Sequence, residues 1–384
     1  MIDLATRALD AGRRAGLDPI GICAATPFER ERREIERRRD AGLHGGMSFT
    51  FRNPAGSTDP SATVPGARSI VAAALHHPTV LAERPSDAMA GRVARYATRD
   101  HYETLRSALG DVRDVLRAAG HRAVVVADDN ALVDRAAAVR AGLGWTGKSA
   151  NVLVPGRGSW FLLGSVITDA ELVPTGEELA DGCGPCRRCL DGCPTGAIVA
   201  PGVVDARRCL SWLLQQQGEF PLEHRVALGD RIYGCDECQE VCPPARADVR
   251  RDPQVDLASD GSPGGWVDLV WMLRADDDEL LTRLGRWYVP RRDPRYLRRN
   301  ALVVLGNVLH DAGTAAAHRP EVDDVLGAHL DGGDDLLVGH ATWAALRAGR
   351  GDLLRSETRS ADPVVAAELG RWHGTGPGDE TDSG

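Results

Sequence analysis

The run Cys183-x2-Cys186-x2-Cys189-x3-Cys193-Pro194 constrains this chain more than anything else in it. Three thiolates in one tight turn can wrap three corners of a cubane, and the chain then leaves through Cys193-Pro194 toward a second. This is the bacterial two-cluster spacing, in which the fourth cysteine ligates the other cluster. Two 4Fe–4S clusters need eight cysteines, and the chain has nine. The remaining five are Cys23, Cys209, Cys235, Cys238 and Cys242, with Cys23 far from the rest on a strand-like segment. The pattern predicts that Cys183, Cys186 and Cys189 take Cys242, which precedes Pro243, and that Cys193 joins Cys209, Cys235 and Cys238. Paired C-x2-C motifs also hold structural zinc, but the x2-x2-x3-Pro run fits isolated tetrahedral knuckles poorly. Cys23 reads as a small buried hydrophobe.

Two adjacent clusters make a one-electron wire, so a redox enzyme is expected, with a second centre for two-electron chemistry elsewhere in the chain. The N-terminal MIDLATRALDAGRRAGLDPIGI carries Arg13 and Arg14 within its apolar periodicity, unlike a secretory signal. No later stretch reaches the roughly 18 apolar residues of a membrane span. A cytoplasmic protein without membrane association is expected, a compartment in which clustered cysteines hold metal more often than disulfides. With 384 residues and 43% hydrophobic content the chain can bury a core in two or three domains. Its net charge of −9 argues against indiscriminate coating of nucleic acid, while leaving room for a local basic surface. Of 46 basic residues only Lys148 is lysine, which suggests that a compact ammonium is needed there.

Residues 1–170 alternate between helical and strand-like patterns. Helices are expected over 2–16, 27–41, 102–119 and 132–141, and strands near 20–23, 69–75, 123–127, 151–154 and 160–167. This reads as an α/β domain. Residues 171–250 are rich in cysteine, glycine and proline with little periodicity, a ferredoxin-like domain whose core is metal. From 251 to 370 the pattern is helical again, with apolar stripes over 280–284, 297–309, 322–330 and 336–347, suggesting a small helical-repeat domain. A disordered tail is expected over 371–384.

The segment Gly142-Leu-Gly-Trp-Thr-Gly147-Lys148-Ser149 fits the phosphate-loop expression G-x-x-x-x-G-K-S. It nevertheless follows a helical pattern and leads into the strand-like NVLV, the reverse of a strand-to-helix phosphate loop. Its glycines more plausibly let backbone pass close to a large cofactor, with Lys148 near a phosphate or amide of it. Asp128 and Asp129 stand where the 123–127 strand ends, a usual place for working residues in an open α/β sheet. Asp129 or Asn130 also suits a cap for the following helix. Asp134, inside that helix, is expected to be paired or solvated.

With those residues in view, the chain resembles the epoxyqueuosine reductases, cobalamin-dependent iron–sulfur enzymes that complete queuosine on tRNA. The resemblance rests on HGGM at 44–47, PGARSI at 65–70, RYA at 95–97, RAGLGWTGK at 140–148, GSWFLLG at 158–164, VDARRC at 204–209, RIYGCDECQEVCP at 231–243 and RNALVVLGN at 299–307. It implies an α/β cobalamin-binding domain of the reductive-dehalogenase/nitroreductase type, the two-cluster domain, and a C-terminal HEAT-like domain that helps grip tRNA. The implied cofactors are cobalamin, as cob(II)alamin, and two 4Fe–4S clusters. The implied reaction removes the epoxide oxygen of epoxyqueuosine at the wobble position of a tRNA anticodon stem-loop. The implied electron source is a low-potential donor such as flavodoxin or ferredoxin, and a monomer is expected.

By its spacing to AGLGW, the family's proton-donating aspartate falls at Asp128. Arg95 and Tyr96 match the segment beside the corrin, and Ser159 and Lys148 belong to motifs expected to contact the cofactor. A carboxyl of ordinary pKa, about 3.9, donates poorly near neutrality, so Asp128 should be desolvated and raised. The chain departs from the family at Asp129, where Ser or Thr is usual and which leaves either neighbour able to be the acid. It departs also at Ser57, in SWLLQQQG after Cys209 and in PPAR after Cys242, all toward the substrate.

The stretch RLGRWYVPRRDPRYLRRN at 283–300 carries seven arginines against one aspartate, interleaved with Trp287, Tyr288 and Tyr296. Phosphate contact with base stacking would use such a set. Competing readings are a cobalamin and iron–sulfur reductase of a small molecule, an electron-transfer protein without catalysis, and an RNA-binding scaffold with structural clusters. The basic stretch and the missing export signal disfavour the first.

Overall fold

The structure is a computed structural model that describes residues 3–77, 79–85, 89–251, 254–255 and 265–374. The chain divides into two compact units, one of residues 1–81, 95–209 and 236–260, the other of 82–94, 210–235 and 261–384. This division differs from the expected boundaries at 170 and 250. Strand Arg231–Tyr233 of the cysteine-rich stretch pairs with Ala90–Val93, so the chain leaves the first unit twice and returns. A reading that runs along the sequence cannot see such an exchange.

The first unit is built on a four-stranded sheet in the order Ile20–Ala24, Ser69–His76, Phe161–Thr168, Ala123–Val126. Every pairing in it is antiparallel, with Ile22 opposite Val71, Val71 opposite Val166, and Val125 opposite Val166. Residues of Ser69–His76 alternate between the two faces. Val71, Ala73 and Leu75 pack under helices Leu4–Arg14 and His101–Ala118 with Leu105, Leu109, Val112 and Val166. Ile70, Ala72 and Ala74 pack on the other face with Phe28, Ala137, Ala138 and Ile167, below helix Asp134–Arg140. Burial on both faces makes the strand a continuous apolar run, and each fully buried aliphatic side chain contributes roughly 1.5–3 kcal/mol. Such a run carries no strand direction, so the expected α/β domain proves to be an antiparallel sheet between helices. The two long helices start at Asp3 and Asp100, whose carboxylates accept the Thr6 and Glu103 backbone N–H groups.

The phosphate-loop look-alike forms a hairpin, with Trp145–Thr146 paired to Val152–Leu153. A Cβ at Gly144 would lie 2.3 Å from the Leu153 carbonyl oxygen, so glycine is needed for the hairpin rather than for a phosphate. After it come the cysteine turns: short helices Arg188–Asp191 and Glu237–Glu240, the hairpin Ile198–Ala200 with Val203–Val204, and helix Pro243–Arg251 directly after Cys242.

The second unit has a three-stranded sheet, Arg231–Tyr233, Ala90–Val93, Trp266–Asp268. Its helices include Leu269–Arg274, Asp277–Leu284, Arg295–Ala312, Pro320–Leu330, Asp335–Arg347 and Pro363–Gly374. Arg295–Ala312 is the central one, buried from Leu297 through Leu309 except at Arg298. Gly306 lets helix Asp335–Arg347 approach, since a Cβ there would sit 2.9 Å from the Ala344 Cα. Buried Arg225 is neutralised by Glu368, Nη1 to Oε1 2.5 Å. The expected tail at 371–384 begins inside the last helix, and residues 375–384 lie outside the described residues. No helix among the described residues is long and apolar enough to cross a membrane.

Candidate active site and cluster ligands

Strand Ala123–Val126 ends in the turn Asp128-Asp129-Asn130, and each residue of the turn has a different task. Asp128 stands at φ +54°, a left-handed conformation that is uncommon for a residue with a side chain. Its surface is exposed, yet the protein mass around the carboxyl removes enough water to raise its pKa. Arg106 opposes that shift, Asp129 adds to it, and Arg135 again opposes it. Asp129 Oδ1 accepts the Ala131 backbone N–H at 2.9 Å, which spends it on shaping the turn. Asn130 braces the turn from outside: its carbonyl accepts from Ser57 Oγ at 2.7 Å, and its Oδ1 accepts from the Thr50 N–H at 2.5 Å. Of the two neighbouring acids, Asp128 is the free one.

Asp134 corrects the sequence reading. It opens helix Asp134–Arg140, and among the described residues it forms no ion pair. Its Oδ1 is buried without a hydrogen bond. Burial first, then the charge of Asp128, raises its pKa well above the usual range. Tyr102 faces both acids, and its phenol is pushed up by burial and then by Asp128 and Asp134.

A second polar group surrounds Arg95. The guanidinium lies over Trp160, 4.1 Å from the ring centroid, with Nη2 3.5 Å from Glu240. Its backbone N–H donates to Asp236 Oδ2 at 2.7 Å. Arg95 Nε and Nη1 are buried without a hydrogen-bond partner, an arrangement that a ligand rich in acceptors would satisfy. Beside it, burial and then neighbouring His101 push the His77 imidazole down to about 3, so His77 is neutral. Trp160 Nε1 donates to the Ala245 carbonyl at 3.0 Å. Gly158, at φ +75°, brings this loop so near that a Cβ would lie 2.4 Å from Ala245 Cα. The GSWFLLG motif thus docks on the segment after Cys242.

Tyr96 packs against the sheet core beside the helix His101–Ala118. Ser159 is buried and donates from Oγ to Gln239 Oε1 at 2.9 Å. Lys148 turns toward the cysteines: its Nζ donates to the carbonyls of Gly184 at 2.5 Å and Cys186 at 2.9 Å. Two of its three donors therefore hold the first cysteine turn, which is a different task from the expected contact with a cofactor phosphate or amide.

Cys183, Cys186, Cys189 and Cys242 come together. The Cys242 thiol is raised by burial first and then by the charges of Cys183, Cys189 and Cys186, and Cys189 likewise by burial and then Cys183. Cys193 Sγ accepts the Ala197 N–H at 3.2 Å, and Cys238 Sγ accepts from Asn151 Nδ2 at 3.8 Å. Cys209 ends the turn Ala206–Cys209 and the 95–209 stretch of the first unit, and Cys235 closes the stretch 210–235 of the second. Cys23 lies apart, buried, its thiol pushed up to about 11 by desolvation.

In the second unit, the 283–300 stretch splits by burial. Arg299 is 0% exposed, and its guanidinium donates to the carbonyls of Gln216, Gly218, Leu213 and Leu214. Trp287 is 3% exposed and stacks on Tyr233 at 4.7 Å. Arg295 and Arg298 pair with Asp334 and Asp277. Arg283, Arg286, Tyr288, Arg291 and Arg292 remain on the surface, with Arg291 and Arg292 at φ +58° and +54°.

Sequence reasoning offered Asn130 only as a helix cap, whereas it braces the turn, and it missed His77 and Arg106, which the fold brings in.

Residues 182–245 match the family model of the 4Fe-4S double cluster binding domain. Two similar proteins are the epoxyqueuosine reductases of Vibrio cholerae, 34% identical over 86% of this chain and 88% of that one, and of Bacillus cereus, 30% identical over 93% of each. Among solved structures, the epoxyqueuosine reductase of Streptococcus thermophilus is 26% identical with a TM-score of 0.83, covering 97% of this chain and 100% of that one. An epoxyqueuosine reductase crystallised with an epoxyqueuosine-modified tRNA-Tyr stem loop is 28% identical with a TM-score of 0.79, covering 98% and 95%.

Proposed function

This chain belongs to the epoxyqueuosine reductase family, and from that premise we propose that it removes the epoxide oxygen of epoxyqueuosine in a tRNA anticodon loop, giving queuosine. It is an oxidoreductase. The reaction consumes two electrons and two protons per epoxide and releases water. The observation that carries the reading is Asp128: a raised carboxyl, free of structural duty, at a strained position beside a sheet edge.

Asp128 supplies the proton that the departing oxygen needs. Its raised pKa keeps more of it protonated near neutrality than an ordinary aspartate. Asn130, Ser57 and Thr50 hold the turn so that the acid keeps one position. Asp129 shapes the turn by accepting the Ala131 N–H.

Cobalamin is the cofactor we assign, and when bound it supplies the strongly reducing metal that opens a strained epoxide. Arg95 fits it through its two unsatisfied buried donors, which suit the amide carbonyls around a corrin, with neutral His77 and Trp160 alongside. Tyr96, next to Arg95 in the chain, packs against the sheet core, and Ser159 fixes Gln239. Two clusters would supply one-electron chemistry beside it, with Cys183, Cys186, Cys189 and Cys242 to hold one and Cys193, Cys209, Cys235 and Cys238 to hold the other. The Ala197 N–H at Cys193 and the Asn151 amide at Cys238 would raise the second cluster's potential, as hydrogen bonds to cluster sulfur do. Lys148 fixes the turn of the first.

We read the helices of the second unit as HEAT-like, with Arg283, Arg286, Tyr288, Arg291 and Arg292 as the RNA-facing set. The electron source is a low-potential carrier such as flavodoxin or ferredoxin. The test is anaerobic incubation of the cluster- and cobalamin-loaded protein with epoxyqueuosine tRNA and dithionite, followed by nucleoside analysis. Queuosine should appear; unchanged epoxyqueuosine with both cofactors bound would overturn the reading.

A further inference from the structure

Helix Glu29–Asp40 is odd: over its 12 residues none is buried, and six are arginine. A helix polar all round has no core to hold it and stands either between partners or on ion pairs of its own. The pairs account for only part of it. Arg37 and Arg38 share Glu34, Arg32 takes Glu36, and Arg39 lies against Asp40. Arg30 and Arg33, exposed and one turn apart, form no ion pair among the described residues.

These two arginines line a cleft of about 620 Å³ together with Arg37, Arg38 and Lys148. Five cations face Glu34 and Asp181 there, in a chain whose net charge is −9. Asp181 is already engaged, its Oδ1 accepting the Cys183 N–H at 2.8 Å. The cleft is joined to the cysteine segment at both ends. Lys148 Nζ holds the Gly184 and Cys186 carbonyls, and Arg38 Nη2 donates to the Gly202 carbonyl at 2.9 Å. Beyond Lys148, Gly184, Pro185, Arg187 and Arg188 of the first cysteine turn are exposed. The cations of the cleft therefore lie beside the exposed turn that carries Cys183 and Cys186.

We propose that the arginine face of helix Glu29–Asp40, with Lys148, is the docking surface for an acidic one-electron carrier protein that delivers electrons to the cluster of Cys183, Cys186, Cys189 and Cys242. The inference rests on the proposed cluster assignment and names the surface through which that wire is fed. In each delivery one electron leaves the reduced carrier and the cluster passes from its 2+ to its 1+ state. Two deliveries supply the two electrons consumed per epoxide. An acidic protein suits the surface better than RNA does, because Glu29, Glu31 and Glu36 are interleaved with the arginines. A mixed lattice of charge can be matched by a protein's own mixture, whereas a polyphosphate meets the glutamates as repulsion.

The test uses full-length protein loaded with both clusters and reduced flavodoxin as the carrier. Cluster bleaching is followed by stopped flow and carrier affinity by anaerobic titration. Arg30→Glu with Arg33→Glu should lower both the second-order reduction rate and the affinity at least about tenfold and flatten their dependence on salt. Bleaching by dithionite and affinity for the stem-loop RNA should be unchanged. The neutral pair Arg30→Gln with Arg33→Gln should give a smaller loss in the same direction, and serves if the reversed pair misfolds. Unchanged carrier kinetics would overturn the proposal, and so would a tenfold loss of RNA affinity with carrier kinetics intact, which would make the face an RNA surface. Wild-type turnover with dithionite needs no carrier, so its failure would strike the proposed reaction alone.

Discussion

Asp134 lies buried behind Asp128, and its carboxyl is raised by that burial first and by the negative charge of Asp128 second. The two acids cannot both ionise cheaply, so the pair holds a proton more readily than two separate aspartates would, which suits the role proposed for Asp128. Asp128→Asn keeps the shape of the turn and removes the acid. Turnover of epoxyqueuosine RNA should fall by roughly 100-fold or more, the usual scale for a lost general acid. Cluster absorbance and corrin content should be unchanged. Full turnover in the variant would remove Asp128 from the chemistry.

Asp134→Asn tests the other half of the pair. A carboxyl raised in the folded state holds its proton longer than in the unfolded chain. Stability is therefore fully present below the unfolded value of about 3.8 and is lost as pH rises through the folded one. The amide cannot ionise, so the variant should lack this decline, and the gap in melting temperature should move in its favour as pH rises. Parallel melting curves across that range would show that Asp134 is not raised.

The sequence carried the elements better than their relations. Helix 297–309 was legible because its apolar stripe is continuous, and the strand at 69–75 because burial on both faces leaves it apolar from Ile70 to Leu75. Strand direction was not, since side-chain burial is the same for either sense. The double-cluster segment was legible because cluster geometry imposes spacing on its cysteines. Lys148 was singled out for its rarity, but its partners are carbonyls thirty-odd residues on, and backbone acceptors leave no mark in a sequence. The arginine stretch misled for a similar reason: Arg299 serves four carbonyls of another segment, and composition cannot distinguish it from exposed Arg292.

His340 gives the second unit an acid-sensitive joint. Its Nδ1 donates to the Leu336 carbonyl at 2.6 Å and its Nε2 accepts the Phe220 N–H at 3.1 Å, so the ring must be neutral. Burial first, then Arg225, hold its pKa well below the ordinary 6.5. With the folded value depressed, the unfolded chain binds the extra proton, and stability falls as pH drops below about 6.5. His340→Asn should lower stability at pH 7, and should lose less further stability between pH 7 and 5 than the wild type does. Equal losses in chemical denaturation would count against the joint.

Cluster ligation is separable by cysteine. Cys242→Ala should remove one cluster and leave about four of about eight iron atoms per chain, and Cys193→Ala should remove the other. Cys23→Ala should keep all the iron, because its raised, buried thiol lies apart from both sets. Iron and sulfide analysis with electron paramagnetic resonance of the reduced protein decides. Loss of both signals in Cys242→Ala, with the fold retained, would mean that the two sets are not independent.

The split of the arginine stretch predicts two unlike phenotypes. Arg299 is desolvated, its pKa brought down to about 9, and its guanidinium holds the carbonyls that cross from 213–218. Arg299→Met leaves those carbonyls buried without donors and should cost at least about 3 kcal/mol in denaturant unfolding. Arg291 and Arg292 hold no such burden, and asparagine tolerates their left-handed backbone. Arg291→Asn with Arg292→Asn should therefore unfold as the wild type does. If both arginines contact phosphate, the pair should weaken stem-loop binding and make the slope of log K against log salt shallower by roughly two. The comparison matters because a folding defect also lowers RNA affinity but leaves the salt slope of the remaining folded protein untouched. An unaltered slope in the double variant would move the RNA surface away from this turn.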